Sequence, residues 1–129
     1  WQNWVIDLAS ANSGTRWQAV QSLGGTGDPA VVPHLVAMLK DADIFVRMAV
    51  CRHLGGLGSI EAIPALIDTL EDEEASVREA ALVALRSISG QSIPFDPLAR
   101  DGDRSKRVRA WRDWWEQAAK EPPKTKTKI

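Results

Sequence analysis

Two histidines, one cysteine and a cluster of tryptophans set among basic residues are the parts of this chain that could do chemistry. His53 lies midway along a helical apolar stripe, the place of a hydrogen-bonded core histidine. His34 follows Pro33 on the polar side of a short helix and is expected to be exposed. Neither precedes a glutamate, and His, Asp and Glu nowhere cluster at ligand spacing, so neither a metal site nor a cofactor is expected. Cys51 takes the place held by Val20 and Leu82 one period away, that of a small apolar filler. As the single cysteine it excludes an intrachain disulfide, and Arg47 one turn earlier is the basic neighbour that could activate it. Gly24, Gly25 and Gly27 follow a helix, so they end it and do not cradle phosphate. No serine has a base spaced to activate it.

Trp111, Trp114 and Trp115 stand among Arg104, Lys106, Arg107, Arg109 and Arg112. Basic charge with aromatic rings is how single-stranded nucleic acid is gripped. Helical spacing gives these rings another use. Trp111 and Trp115 are four residues apart and continue an apolar stripe from Val108, which suits a hydrophobic cap, and Trp114 alone falls off that stripe as an exposed ring.

The elements that would position these groups repeat every 31 residues. Pro33 recurs as Pro64, Leu35 as Leu66, Leu39 as Leu70, Asp41 as Asp72, Val46-Arg47 as Val77-Arg78 and Leu54 as Leu85. The same offset carries Leu35 back to Trp4, Arg47 back to Arg16, Asp72 on to Asp103 and Arg78 on to Arg109. A period of this length marks a stack of repeated units, each burying its apolar face on its neighbours. Each unit reads as two helices. In the second, Asp28-Pro29 is a start signal and helix proper is expected from about Pro33 to Lys40, with the proline setting off the first turn. Asp43 then caps a helix whose Val46, Ala49, Val50, His53, Leu54 and Leu57 fall within about 140°. Gly58 and Gly90 are helix stops.

The fold expected is all-α: an α-α superhelix, a right-handed solenoid, with a capping helix from about Asp103 to Ala119. One domain over residues 1–120 is divided into units of about 1–27, 28–58 and 59–90 and a capping arm and helix over 91–120. The arm through Ile93-Pro94-Phe95 is expected to lay Ile93 and Phe95 on the last repeat. Residues 121–129 read as a disordered basic tail.

Composition narrows the function classes. The formal charge of −1 hides 6 Lys or Arg against 12 Asp or Glu in residues 1–99, and 10 against 5 in residues 100–129. No overall field therefore recommends nucleic acid or an anionic membrane. No apolar run nears the roughly 18–20 residues that cross a bilayer, and no signal peptide is visible. A cytoplasmic protein without a membrane partner is expected. The start at Trp1, without methionine, is expected of a trimmed protein or a piece of a longer chain.

The string MLKDADIFVRMAVCRHLGGLG and its echo TLEDEEASVREAALVALRSISG resemble HEAT-like repeats of the short type named after phycobilisome lyases, over roughly residues 1–90. The resemblance implies a ladder of turn aspartates and second-helix arginines along the stack. Its members here are Asp41 with Arg47, Asp72 with Arg78, and Asp103 with Arg109, while Arg16 has Ser10 where the pattern calls for aspartate. Each arginine would hold a turn carboxylate or the last carbonyls of the first helix. HEAT-like iron hydroxylases use repeated His-Glu pairs, and this chain has none.

Opposite the core stripe, one position per unit reads Trp17, Met48, Glu79, and the next turn adds Gln21, Arg52 and Val83. Ile44 and Phe45 precede the second helix where the third unit has Ala75 and Ser76. Large apolar groups at outward sites are what interfaces use as anchors. The first expectation is a non-catalytic interaction or scaffold module that binds a protein or peptide on the surface lined by the second helices. The resemblance implies a second reading, a phycobilin-lyase-like enzyme or enzyme subunit. A third is nucleic-acid binding through the basic C-terminal end, as in HEAT-like DNA glycosylases, a partner class the capping role of the indoles disfavours.

Overall fold

The local chemistry of caps and stops sets the helices, and a computed structural model describes residues 1–120 of the chain. Among these residues all regular structure is helical: α1 (Gln2–Asp7), α2 (Ser13–Gly24), α3 (Val32–Val36), α4 (Ile44–Leu57), α5 (Ile63–Thr69), α6 (Ala75–Ser89) and α7 (Asp101–Lys120), with 3₁₀ turns at Pro29–Val31, Ala37–Lys40 and Ile60–Ala62. The basic tail, residues 121–129, lies outside the described residues.

Starts are made by short polar side chains that satisfy orphan amides. Asn12 accepts from the Thr15 amide at 3.0 Å, Asp28 from Ala30 at 2.9 Å, and Asp43 from both Phe45 and Val46. Gly58 and Gly90 end α4 and α6 at φ of +67° and +72°, left-handed geometry that a side chain would strain. Pro33 and Pro64 sit in the first turns of α3 and α5, each behind a separate 3₁₀ turn. A missing amide costs nothing there, because that donor has no intrahelical partner. The helix expected through Lys40 stops being α-helical at Val36 and tightens to a 3₁₀ turn. α1 ends at Asp7, and α7 begins two residues ahead of the expected Asp103.

The first helices α1, α3 and α5 form one layer and the second helices α2, α4 and α6 the other. Between them runs a spine of Leu23, Leu54 and Leu85 with Leu35 and Leu66, all fully buried. Cutting one of these leucines to alanine costs about 2–5 kcal/mol in such cores. Beyond Gly90 the arm buries Phe95 and half-buries Ile93. α7 lies on α5, with Val108 and Trp111 fully buried. Trp114 is not the exposed ring expected: it is half-buried, edge-on to Trp111 with centroids 6.0 Å apart, because a wide indole reaches back over the stripe it leaves. His34 is likewise half-buried, its ring 5.8 Å from that of Trp1 and edge-on to it. No described helix is long and apolar enough to cross a membrane.

The arginines join each unit to the next. Arg16 Nη1 donates to the Ser10 carbonyl of its own turn at 2.9 Å, while Nε and Nη2 fork onto Asp41 of the second unit at 2.8 and 3.2 Å. Arg47 repeats the arrangement, on its own Asp41 carbonyl at 2.8 Å and on the Asp72 carboxylate at 2.9 and 3.2 Å. Each aspartate therefore serves the arginine of the preceding unit through its side chain and that of its own unit through its carbonyl. The next rung differs. Arg78 holds the Asp72 carbonyl at 2.7 Å, but its Nε donates to the Pro97 carbonyl of the arm at 2.8 Å. Asp103 lies in the first turn of α7, and it and Arg109 are exposed without an ion pair among the described residues. The Asp72 carboxylate expected for Arg78 is held by Arg47, and the Pro97 carbonyl of the arm takes its place.

Arg47 and Asp72 are nearly buried, with side-chain exposures of 8% and 11%, so removing one strands the other. Asp72→Ala is expected to cost about 2–4 kcal/mol in urea unfolding, and Asp103→Ala less than about 0.5 kcal/mol.

Candidate functional site

The second helices turn one side chain per turn away from the core, and these positions form rows across α2, α4 and α6. Between α4 and α6 they border a groove of 460 Å³. Met48 and Arg52 stand on the α4 wall and Glu79 and Val83 on the α6 wall, while Cys51, Gly55, Ala80 and Ala84 line the space between. The groove takes in Met48 to Gly56 of α4 and Ser76 to Ser87 of α6. A second hollow, of 340 Å³, lies where α2 and α4 begin, between Trp17 and Phe45. Phe45 is 66% exposed and Val83 63%.

The gap between α2 and α4 shows why the groove exists only in the next gap. There the His53 side chain crosses Gly24 so closely that a Cβ on that glycine would lie 2.2 Å from the ring. Its Nε2 is 2.8 Å from Gln21 Oε1. One unit later Ala84 stands for His53 and Gly55 for Gly24. No ring spans that gap, and Arg52, at the place of Gln21, faces the opening.

The expected contact residues thus fall into three groups. Met48, Arg52, Glu79 and Val83 share the groove, and Trp17 and Phe45 share the hollow. Gln21 is turned onto His53, and Ile44 is half-buried against the core. The ladder residues Arg16, Asp41, Arg47, Asp72 and Arg78 lie at the turns, away from this groove. Sequence reasoning missed Gly55, Gly56, Ala80, Ala84 and Ser87, the small residues that open the space. Their signal was the loss of His53 on moving to Ala84, visible only once that ring is known to fill a gap.

Two other regions carry charge. A depression of 740 Å³ beside the turns is edged by Lys40, Asp68, Glu71 and Glu73 and contains the Arg47–Asp72 rung, so it belongs to the ladder. At the basic end, Arg112 pairs with Asp68 at 2.9 Å and Arg104 with Asp101 at 2.7 Å. Lys106, Arg107 and Arg109 are exposed, while the indoles beside them pack inward. Among the described residues no three His, Cys, Asp or Glu side chains are grouped to hold a metal ion.

A family model described as HEAT repeats matches residues 3–86. The chain belongs to the HEAT-repeat family. A solved structure similar to it is the complex of CpcE and CpcF of phycocyanin lyase from Nostoc sp. PCC7120, at 32% identity and a TM-score of 0.60, covering 66% of this chain and 35% of that one. This agrees with the short phycobilisome-lyase type that the repeat strings resemble. The chain spans about a third of the length of that lyase chain. No curated protein matches it.

Two groups of α4 have shifted protonation. Burial pushes the Cys51 thiol up to about 12, a rise that Asp72 reinforces and Arg47 only partly offsets. The thiolate needed for nucleophilic or metal chemistry is therefore suppressed at neutral pH. Cys51 is expected to react with a disulfide reagent at once in denaturant, but in native buffer only as fast as the fold opens, followed by mass spectrometry.

Burial, and then Arg52, lower the His53 imidazole from its ordinary 6.5. Below pH 6.5 the unfolded chain takes a proton there that the folded chain refuses, so stability is full above that pH and declines as pH falls toward the folded value. His53→Gln should lose this part of the acid sensitivity. Its melting temperature is expected to fall less than that of the wild type between neutral and mildly acidic buffer.

Proposed function

We propose that the chain is a non-catalytic protein-interaction module that holds a protein or peptide partner along the face lined by α2, α4 and α6. The observation that carries this reading is the α4–α6 groove, an apolar trough with one cation and one anion on its walls, continued by exposed Phe45 and Trp17. Exposed aromatic and aliphatic side chains beside a preformed depression are what protein partners bury at hot spots. Rigid helices present them, so little ordering entropy is lost on binding. The suppressed Cys51 thiol supports a binding role over a covalent one.

The similarity to the CpcE and CpcF complex of phycocyanin lyase favours one further reading, a subunit of a lyase-like enzyme that acts together with a second chain. In that case the purified chain, with a second subunit, a bilin and its acceptor protein, would promote attachment. Absence of any coloured adduct would count against it.

Helical peptides selected from a random display library on the immobilised chain test the main reading. Binders should converge on the second-helix face, and Phe45→Ala and Val83→Ala should each weaken them by about tenfold or more. Both side chains are mostly exposed, so the melting temperature should not change. Selected binders indifferent to both substitutions would overturn the assignment of the face.

A further inference from the structure

Both walls of the α4–α6 groove are α-helix, whose amides and carbonyls bond to one another along most of its length. An extended segment laid there would find few backbone partners for its own amides, whereas a helix satisfies its own and brings only side chains. The floor suits a helix. Gly55, Ala80 and Ala84 are small, and a Cβ on Gly55 would lie 3.1 Å from the Ala84 Cα. The walls therefore meet closely at the bottom and leave a trough above, the shape that receives the ridge of a third helix. From Met48 to Gly56 the trough is about 12 Å long, slightly more than two helical turns.

The walls carry one charge each. Arg47 near the start of α4 holds Asp72 just ahead of α6, and Gly55 near the end of α4 meets Ala84 near the end of α6, so the two helices run in the same direction. Glu79 lies five residues before Ala84 and Arg52 three before Gly55, which leaves the two charges about 3 Å apart along the helix axes, on opposite walls. Neither is used within the chain. Both are exposed, and neither makes a hydrogen bond or ion pair among the described residues, whereas Arg16, Arg47, Arg104 and Arg112 each hold a carboxylate. Met48 stands on the α4 wall toward the helix starts and Val83 on the α6 wall toward the ends, so apolar contact brackets the charges.

We infer that the groove takes a single amphipathic α-helix of a protein partner, with aliphatic or small residues along its seam, a carboxylate on the flank facing Arg52 and a cationic side chain on the flank facing Glu79. This rests on the proposed use of that face for protein binding and names the form of the partner. Charges on the two flanks of an apolar seam set partner choice and direction between packed helices. Turning the partner helix end for end exchanges its flanks, so the unlike pair on the walls favours one direction and opposes the other. A helix with two acidic or two basic flanks meets a like charge whichever way it lies.

Fluorescence anisotropy of labelled, lactam-bridged helical peptides of about four turns, titrated with the full chain, tests this. The peptides share a seam of leucine and alanine and differ in their flanks: glutamate with lysine, glutamate on both, or lysine on both. A mixed-flank peptide with a central proline and no bridge cannot hold the helix. The wild type should bind the mixed helix about tenfold more tightly than the other three at low salt, and the margin over the like-flanked helices should narrow as salt is added. Arg52→Glu should move the preference to the peptide with lysine on both flanks, and Glu79→Arg to the one with glutamate on both. Both side chains are exposed, so these variants should melt with the wild type. A wild type indifferent to flank charge, variants that keep its order of preference, or a proline peptide bound as well as the mixed helix would each overturn the inference. Self-association of the chain that Arg52→Glu abolishes would hand the groove to a second copy and overturn it too. Library-selected peptides that depend on Phe45 and Val83 but ignore flank charge would sink the inference alone, and failure to select any binder to this face would sink the binding role with it.

Discussion

The guanidinium that grips two units at once is the interaction on which the rest of the structure depends. Arg47 ties the carbonyl of its own turn to the carboxylate of the next turn, and Arg16 does the same one unit earlier. Hydrophobic burial is non-directional and would tolerate units sliding past one another. A bidentate fork is satisfied at one offset and one angle, so it selects a single register for the stack. The burial that makes the rung costly to break also keeps water and salt from weakening it.

Once the register is set, the outward residues become a surface with rows and columns. The helix spacing that brings Gly55 against Ala84 is the spacing that opens a groove above them. The same spacing in the preceding gap is crossed by His53, whose counterpart in the next gap is Ala84. That ring closes the first gap, and where alanine replaces it Arg52 faces the opening. A repeat architecture thus separates its two tasks: the inward positions echo, and the outward ones vary unit by unit.

The ends of the stack are treated unlike the middle. At the C-terminal end the arm supplies a carbonyl to Arg78 in place of a carboxylate, and Phe95 and Trp111 cover the spine. At the N-terminal end Ser10 stands where the inner units have aspartate, so the first turn offers its carbonyl to Arg16 but no carboxylate of its own. Trp1 and Trp4 stay partly exposed there, although the residues one period on, Val32 and Leu35, are buried.

The all-helical class, the unit length, the caps at Asp28 and Asp43, the stops at Gly58 and Gly90 and the leucine spine were legible in the residues, because each depends on neighbours close in the chain or on strict periodicity. The involvement of the ladder arginines was implied by the family resemblance. Which carboxylate each one takes was not, since the fork closes between residues 25 apart and geometry alone chooses between a residue's own turn and the next. The arm's capture of Arg78, the inward tilt of Trp114, the coupling of Gln21 to His53 and the opening of the groove were likewise decided only by tertiary structure. All four turn on which groups the folded chain brings together, distances that no local pattern encodes.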